Sequence, residues 1–427
     1  MPGTELKTTL DIELQARVQA ILSPEFGLTR VQQWQAGWSA DGSPRPSGLP
    51  LNMPLNSAAV VVEVETGEIL AMVSYPTIAM AESMDEAERA RSGVWVNRPV
   101  EAIYPPGSII KPLVLAAAVT EGVHALDGRI ECTGHYYPDR KEIARCWIYR
   151  EQYGYRGHGS LDAVSAIAQS CNMYFYTLAD KLGMARLTQW YRRFGLGDPL
   201  DVGLLVENDS DKGPRLLGEN GGTLPDAREQ TALAKDGALN SGTIFMGIGQ
   251  GPVTWTPVQA ANAYAMLARR GEVRDATLIA DSSRERLVNS RESGKLSSAV
   301  VESALEGLRQ SVETREGTGH HISYPDGSSE PIINARGLTV WAKTGTAQAP
   351  DLFIDLDQDG KVEVLKDLNH AWFVGLVGPK GSKKPHYAIA VIVEYGGSGG
   401  RTSGPVANQI ILALQGLGYL GDSEGSS

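Results

Sequence analysis

Apolar, β-branched runs stand at both ends of this chain with a long helix-patterned stretch between them, so the fold must join distant residues in one sheet. "AAVVVEVETGEILAMVSYP" (58–76) reads as two strands, Ala58 to Val64 and Glu68 to Ser74, joined by a tight turn at Thr66-Gly67. "LTVWAKTGTAQ", "HAWFVGLVG" and "HYAIAVIVEY" form a second block between 338 and 395, with apolar runs suited to strands covered on both faces. The middle third is helical in pattern, interrupted by loops at 124–160 and 200–240. The pattern predicts one α/β unit whose sheet is assembled from both ends, beside a helical lobe. No internal repeat is present.

Local signals mark several elements. "TTLDIELQARVQAIL" predicts a capped amphipathic helix from about Asp11 to Leu22, with Leu10, Leu14, Val18 and Ile21 on one face. In "TWTPVQAANAYAMLARRG", Thr256 caps a helix, Pro257 takes its first turn, Gln259 completes a capping box and Gly271 ends it. The Gly/Ser/Pro-rich stretch 37–50 is expected to be an exposed loop. "GGSGGRTSG" (396–404) is expected to be a flexible connection to a last helix starting near Pro405.

Composition excludes some functions and leaves the rest open. A net charge of −11 without a Lys/Arg run argues against a nucleic-acid partner, which needs a basic surface. No apolar stretch reaches the roughly 18 to 20 residues that span a bilayer, and the first residues lack the pattern of a signal peptide. Three cysteines in 427 residues permit either an oxidising or a reducing compartment.

The chemistry begins at "YPPGSIIKPLVLAAAV". Ser108 and Lys111, at i and i+3, share one side of a helix start, close enough for the amine to contact the hydroxyl. Pro105 and Pro106 stiffen the approach, Gly107 permits the turn, and a helix N-terminus favours developing negative charge. A desolvated lysine loses its proton more readily and can act as a base. Alone, this spacing arises easily by chance. Two further stretches follow in order: Ser170-Cys171-Asn172 in the helical region, and Lys343-Thr344-Gly345-Thr346 in a strand. Ser-x-x-Lys, Ser-x-Asn and Lys-Thr-Gly together are the signature of penicillin-binding proteins and class A β-lactamases. In such a set Ser170 can pass a proton between Lys111 and a leaving nitrogen, and Asn172 can bind a substrate amide. Lys343, Thr344 and Thr346 can meet a carboxylate, while Gly345 lets a neighbouring backbone approach. The N–H groups of Ser108 and Thr346 can form an oxyanion hole.

On these motifs, and on "NRPVEAIYPPGS", "RCW…GHG" and "MGIGQGPVTWTPVQAANAYAMLARRG", the chain resembles the transpeptidase domain of class B penicillin-binding proteins, and most closely the elongation type. The resemblance runs from "TTLDIELQ" to "GPVANQII". It implies the penicillin-binding, serine β-lactamase-like fold, of mixed α/β (α+β) class: a five-stranded antiparallel sheet flanked by helices, plus an all-helical lobe. The whole of 1–427 would be one transpeptidase domain, with its α/β lobe from about 1–105 and 335–427 and its mainly helical lobe from about 106–334. Family members usually carry a membrane anchor and pedestal before this domain, so the chain is expected to be the catalytic fragment of an enzyme at the extracytoplasmic, periplasmic face of the cytoplasmic membrane. The implied reaction is D,D-transpeptidation of peptidoglycan stem peptides through a Ser108 acyl-enzyme, with β-lactams acylating the same serine. Implied partners are a glycan-polymerising enzyme and cell-elongation proteins, and no cofactor is implied. β-Lactamase or D,D-carboxypeptidase activity shares the motifs but needs water access for deacylation, and a β-lactam sensor would retain them too. Ile109-Ile110 replaces the polar-aromatic pair expected after the serine.

Other residues have competing readings. Cys132, His135, Cys146 and His158 could bind zinc, Cys132 and Cys146 could form a disulfide, or the thiols could simply pack; no metal site is assigned. Cys171 is expected to face the helix interior. "DLDQDGKVEV" (355–364) has the spacing of a calcium loop, but Lys366 stands at its twelfth position, which favours an acidic hairpin turn. His320-His321 reads as a surface loop.

Overall fold

The computed structural model describes residues 6–35, 48–204, 206–209, 213–216, 218–280, 292–324, 326–355 and 360–421. Most of the glycine- and proline-rich stretch 37–50 lies outside them. The central sheet has five strands: β1 (Ser57–Glu63), β2 (Ile69–Tyr75), β3 (Leu338–Gln348), β4 (Asn369–Pro379) and β5 (Tyr387–Val393). Their order is β2-β1-β5-β4-β3, antiparallel throughout. Strands from 57–75 and 338–393 thus interlock, with Ser57 opposite Val393 and Glu63 opposite Tyr387.

Side chains alternate across each strand, and the sheet separates two cores. Val60, Val62, Trp372, Val374, Ala390 and Ile392 face one core. Ala59, Val61, Phe373, Ile389, Val391 and Val393 face the other. Burial on both faces explains why these strands read as continuous apolar runs rather than alternating ones.

The second core is closed by α1 (Ile12–Leu22) and the last helix. Asp11 caps α1, accepting from Glu13 N–H and Leu14 N–H, and Leu14, Val18, Ile21 and Leu22 are buried. Each such side chain contributes about 1.5–3 kcal/mol on full burial. The first core is closed by the helix Pro257–Ala268, whose Thr256–Gln259 capping box forms as its sequence predicts. Gln259 also donates to Gly195 O and Gly221 O, so the cap ties two loops to the helix.

The stretch "GGSGGRTSG" is not a loose connection. Gly399–Ser403 form a single π-turn, mostly buried, that runs directly into the helix Gly404–Gly416. A Cβ on Gly399 would lie 2.2 Å from Trp372 O and 2.4 Å from Gly345 O, so glycine here allows backbone to pack on the sheet. The acidic stretch is a hairpin between Leu352–Ile354 and Glu363–Leu365, with Asp357 and Asp359 outside the described residues. Asp355 Oδ2 accepts from Gly360 N–H. Among the described residues no helix is long and apolar enough to cross a membrane.

Candidate active site

The segment after Pro105-Pro106 does not enter an α-helix at once. Gly107–Ile110 make a 3-10 turn, and the helix α2 (Lys111–Thr120) starts at the lysine with Pro112 in its first turn. Gly107 has φ +59°, and a Cβ there would stand 2.8 Å from Thr346 O. Only glycine therefore lets this turn lie against β3. Gly345 meets it from the strand: its missing Cβ would sit 3.1 Å from Ile109 Cγ2 and 3.3 Å from Pro106 O. Ile109 and Ile110 are fully buried. Tyr264 OH donates to Ile109 O and Trp372 Nε1–H donates to Pro105 O, which pins the turn from two sides. Ser108, half-buried, is thereby held beside Gly345 and Thr346.

Lys111 is completely buried, and its amine donates to Ser170 O at 2.8 Å, Ser170 Oγ at 3.0 Å and Asn172 Oδ1 at 2.7 Å. The amine's hydrogen bonds thus go to the Ser-x-Asn turn rather than to the Ser108 hydroxyl. That turn links α3 (Ala163–Ala168) to α4 (Asn172–Leu182), with Ser170 at φ +55° and Asn172 opening α4. Burial lowers the Lys111 pKa to about 8, against the opposing pull of the Cys146, Cys171 and Cys132 thiol groups.

Lys343 is also fully buried on β3; burial first, and the Lys111 charge second, push its pKa well down. Its amine donates to Thr318 Oγ1 at 3.0 Å and Thr344 O at 3.1 Å. Thr344 Oγ1 donates to Thr318 Oγ1 at 2.9 Å. Thr344 and Thr346 lie opposite Phe373 and Ala371, hence on one face of the strand; Thr344 is buried and Thr346 exposed. The structure therefore gathers Ser108, Lys111, Ser170, Asn172, Lys343, Thr344, Gly345 and Thr346 around one turn.

Thr318 is a site residue that the sequence reading misses. It lies in "GTGHH", expected to be a surface loop, yet it joins Lys343 to Thr344. The flanking glycines are the signal. A Cβ on Gly317 would stand 2.2 Å from Ser311 O, so this loop packs tightly against the helix α5 (Ser298–Glu313).

Behind the Ser-x-Asn turn, the ligand atoms of Cys132, Cys146, His158 and Cys171 all lie within 4.8 Å of one another. His158 Nδ1 is 3.5 Å from Cys132 Sγ and 3.4 Å from Cys146 Sγ, and Cys146 Sγ is 4.0 Å from Cys171 Sγ. The cysteines are free thiols, and Cys171, expected to face the helix interior, completes the group in place of His135. Burial opposes ionisation of Cys146, but hydrogen bonds from Cys132, Cys171 and His158 outweigh it and lower its pKa. Three sulfurs and one imidazole are the donor set of a tetrahedral zinc site, whose ~2.3 Å Zn–S bonds put sulfurs about 3.8 Å apart. Cys171 lies between Ser170 and Asn172, so this group and the buried amine share one turn.

Known proteins match this architecture. The family model "Penicillin binding protein transpeptidase domain" matches residues 57–412. Peptidoglycan D,D-transpeptidase MrdA of Acinetobacter baumannii is 28% identical over 371 residues, covering 83% of this chain and 50% of that protein. The chain thus spans about half the length of the curated relatives it matches. The crystal structure of Pseudomonas aeruginosa PBP2 in complex with WCK 5153 superposes with a TM-score of 0.68 at 26% identity, over 100% of this chain and 79% of that one. PBP2 of Helicobacter pylori, solved in complex with MreC, shares the fold at TM-score 0.67 and 21% identity, over 97% of this chain and 64% of that one. With its family model covering most of the chain and its sheet ordered as described, this protein belongs to the penicillin-binding protein transpeptidase domain family.

Proposed function

We propose that this chain is a serine D,D-transpeptidase that cross-links peptidoglycan stem peptides during cell elongation. The observation that carries the reading is the Lys111 amine, fully buried three residues from Ser108, bonded to Ser170 and Asn172, with its pKa lowered to about 8. A lysine so placed is a base at neutral to mildly alkaline pH.

In this mechanism Lys111 takes the hydroxyl proton as Ser108 Oγ attacks the carbonyl carbon of the penultimate D-Ala. The oxyanion that forms is held by the N–H groups of Ser108 and Thr346. The proton passes from Lys111 through the Ser170 hydroxyl to the nitrogen of the terminal D-Ala, the C–N bond breaks and D-Ala leaves. The Ser108 ester is then attacked by an amine of a neighbouring stem. That amine gives up a proton along the reverse path, which restores the serine hydroxyl and closes the new amide. Lys343, Thr344 and Thr318 bind the terminal carboxylate, and Asn172 binds the substrate amide. A β-lactam enters by the same attack and stays as an ester. The test is release of D-Ala from a pentapeptide donor with an amine acceptor present: cross-linked product from the wild type and none from Ser108→Ala supports the reading, and equal product from both overturns it.

Cys132, Cys146, His158 and Cys171 fit a zinc ion, which would act as a structural clamp on the Ser-x-Asn turn rather than as a reactant. The likeness to MrdA and to a PBP2 solved with MreC supports elongation proteins as partners and an extracytoplasmic location; a glycan-polymerising partner is part of the same proposal.

A further inference from the structure

The loop that carries Cys132, Cys146 and His158 also holds aromatic and cationic side chains that the proposed reaction does not use. It borders the Ser-x-Asn turn directly. Arg145 O accepts from Asn172 Nδ2 at 3.1 Å, and Trp147 Nε1–H donates to Gln169 O at 2.9 Å. From there ring contacts lead away from the site in steps. Arg145 lies opposite His135 in an antiparallel bridge, Tyr149 packs edge-on against His135 with centroids 5.3 Å apart, and Tyr155 packs on Tyr149 at 5.5 Å. Trp147 and Tyr153 make a second pair at 5.8 Å.

The backbone is shaped around these rings. Gly134 has φ +99°, and a Cβ there would stand 2.2 Å from Tyr149 Cδ2, so glycine lets the Tyr149 ring lie against the chain. Tyr155 follows Gly154 in the left-handed region, at φ +49°, where glycine or asparagine is at home and a bulky aromatic is an outlier. Burial does not compensate for this, because Tyr155 is 54% exposed. A strained residue whose ring stands in solvent points to a contact made outside the chain.

Charge around the rings runs against the rest of the molecule. Arg145, Arg150 and Arg156 are exposed, and Glu151 is the one acidic residue between 145 and 156, in a chain of net charge −11. Exposed tyrosines among arginines suit a ligand with flat C–H faces and carboxylates. A peptidoglycan stem at Ser108 is tethered to such a ligand, a strand of N-acetylated amino sugars whose ring faces can stack on tyrosine and whose stems carry carboxylates.

We infer that this face of the loop is a docking surface for the glycan strand of peptidoglycan, with Tyr149 and Tyr155 as stacking platforms and Arg150 and Arg156 meeting carboxylates. The inference rests on the transpeptidase reading and adds to it a contact outside the three motifs. An enzyme with such a surface favours stems that are still attached to their glycan over the same stems free in solution.

The test compares kcat/KM for D-Ala release, with the same amine acceptor present, from one pentapeptide supplied free and supplied on an amino-sugar tetrasaccharide. The wild type is expected to favour the glycan-borne donor by about tenfold. Tyr155→Gly removes the ring and suits the left-handed backbone, so it is expected to melt no lower than the wild type while the ratio collapses towards one. Tyr155→Asn tolerates the same backbone and is expected to lose the preference too. A wild-type ratio near one overturns the inference, and so does a wild-type ratio retained by both variants. Tyr155→Gly melting well below the wild type would mean that the ring serves the fold, and overturns it as well. Absence of any Ser108 adduct with benzylpenicillin in the wild type overturns the underlying reading instead, so the two failures are distinguishable.

Discussion

Lys111 Nζ lies 3.0 Å from Ser170 Oγ inside the protein, with neither residue more than 5% exposed. A buried amine is costly unless hydrogen-bonded, and this one has oxygen acceptors on Ser170 and Asn172. Burial sets the amine's basicity, and in the proposed mechanism the Ser170 hydroxyl carries its proton to the leaving nitrogen.

Replacing the amine should therefore abolish chemistry while retaining the fold. Lys111→Met keeps the stem's volume and is expected to slow acylation of Ser108 by benzylpenicillin about 10²–10⁴-fold. Stopped acylation time courses measure this, and a melting curve shows that the protein is folded. Acylation within a few-fold of wild type would remove Lys111 as the base.

The pH dependence has a definite sign. Lys111 acts as base only when neutral, and burial brings its pKa down to about 8. The acylation rate should rise with pH, with an apparent midpoint near 8, and level off above it. Lys343 is pushed down by burial and by Lys111, so the midpoint belongs to the interacting pair. A rate that falls as pH rises from 6 to 8 would require a protonated group as the active form.

Thr318 bridges the Lys343 amine and the Thr344 hydroxyl. A hydrogen bond to a charged group contributes about 1.5–3 kcal/mol, so Thr318→Val should lower the second-order acylation constant about 10–100-fold. Thr318→Ser retains the hydroxyl and should recover most of it. Wild-type acylation by Thr318→Val, with loss in Thr318→Ser, would mean that the methyl's packing, not the hydroxyl, matters.

The cysteine–histidine group should hold one zinc per chain by elemental analysis. Cys171→Ser should reduce that content, and chelation should lower the melting temperature by at least ~2–4 °C. Protein purified without chelator and free of metal, with a melting temperature unmoved by added zinc, would leave the group as packed thiols.

Legibility in the sequence followed the range of the interaction. Asp11 and Thr256 cap their helices through bonds two or three residues away, so their role is readable from local spacing. The strands are readable too, because burial on both faces demands apolar runs. Cys171 and Thr318 were less accessible. Cys171 reaches Cys146 because Ser170 adopts φ +55° and redirects the chain, a backbone choice that its residue type does not announce. Thr318 meets Lys343 across 25 residues, through a loop whose glycines signal close packing but not its target. The Gly-rich stretch before the last helix misleads for the same reason: glycine serves tight packing as well as flexibility.

The most direct measurement is intact mass after incubation with benzylpenicillin, followed over hours and mapped by peptide digestion. One stable adduct on Ser108, absent from Ser108→Ala, is the expected result. An adduct on another residue, rapid loss of the adduct with hydrolysed drug accumulating, or no adduct on folded protein would contradict the assignment of Ser108 as the nucleophile of a transpeptidase.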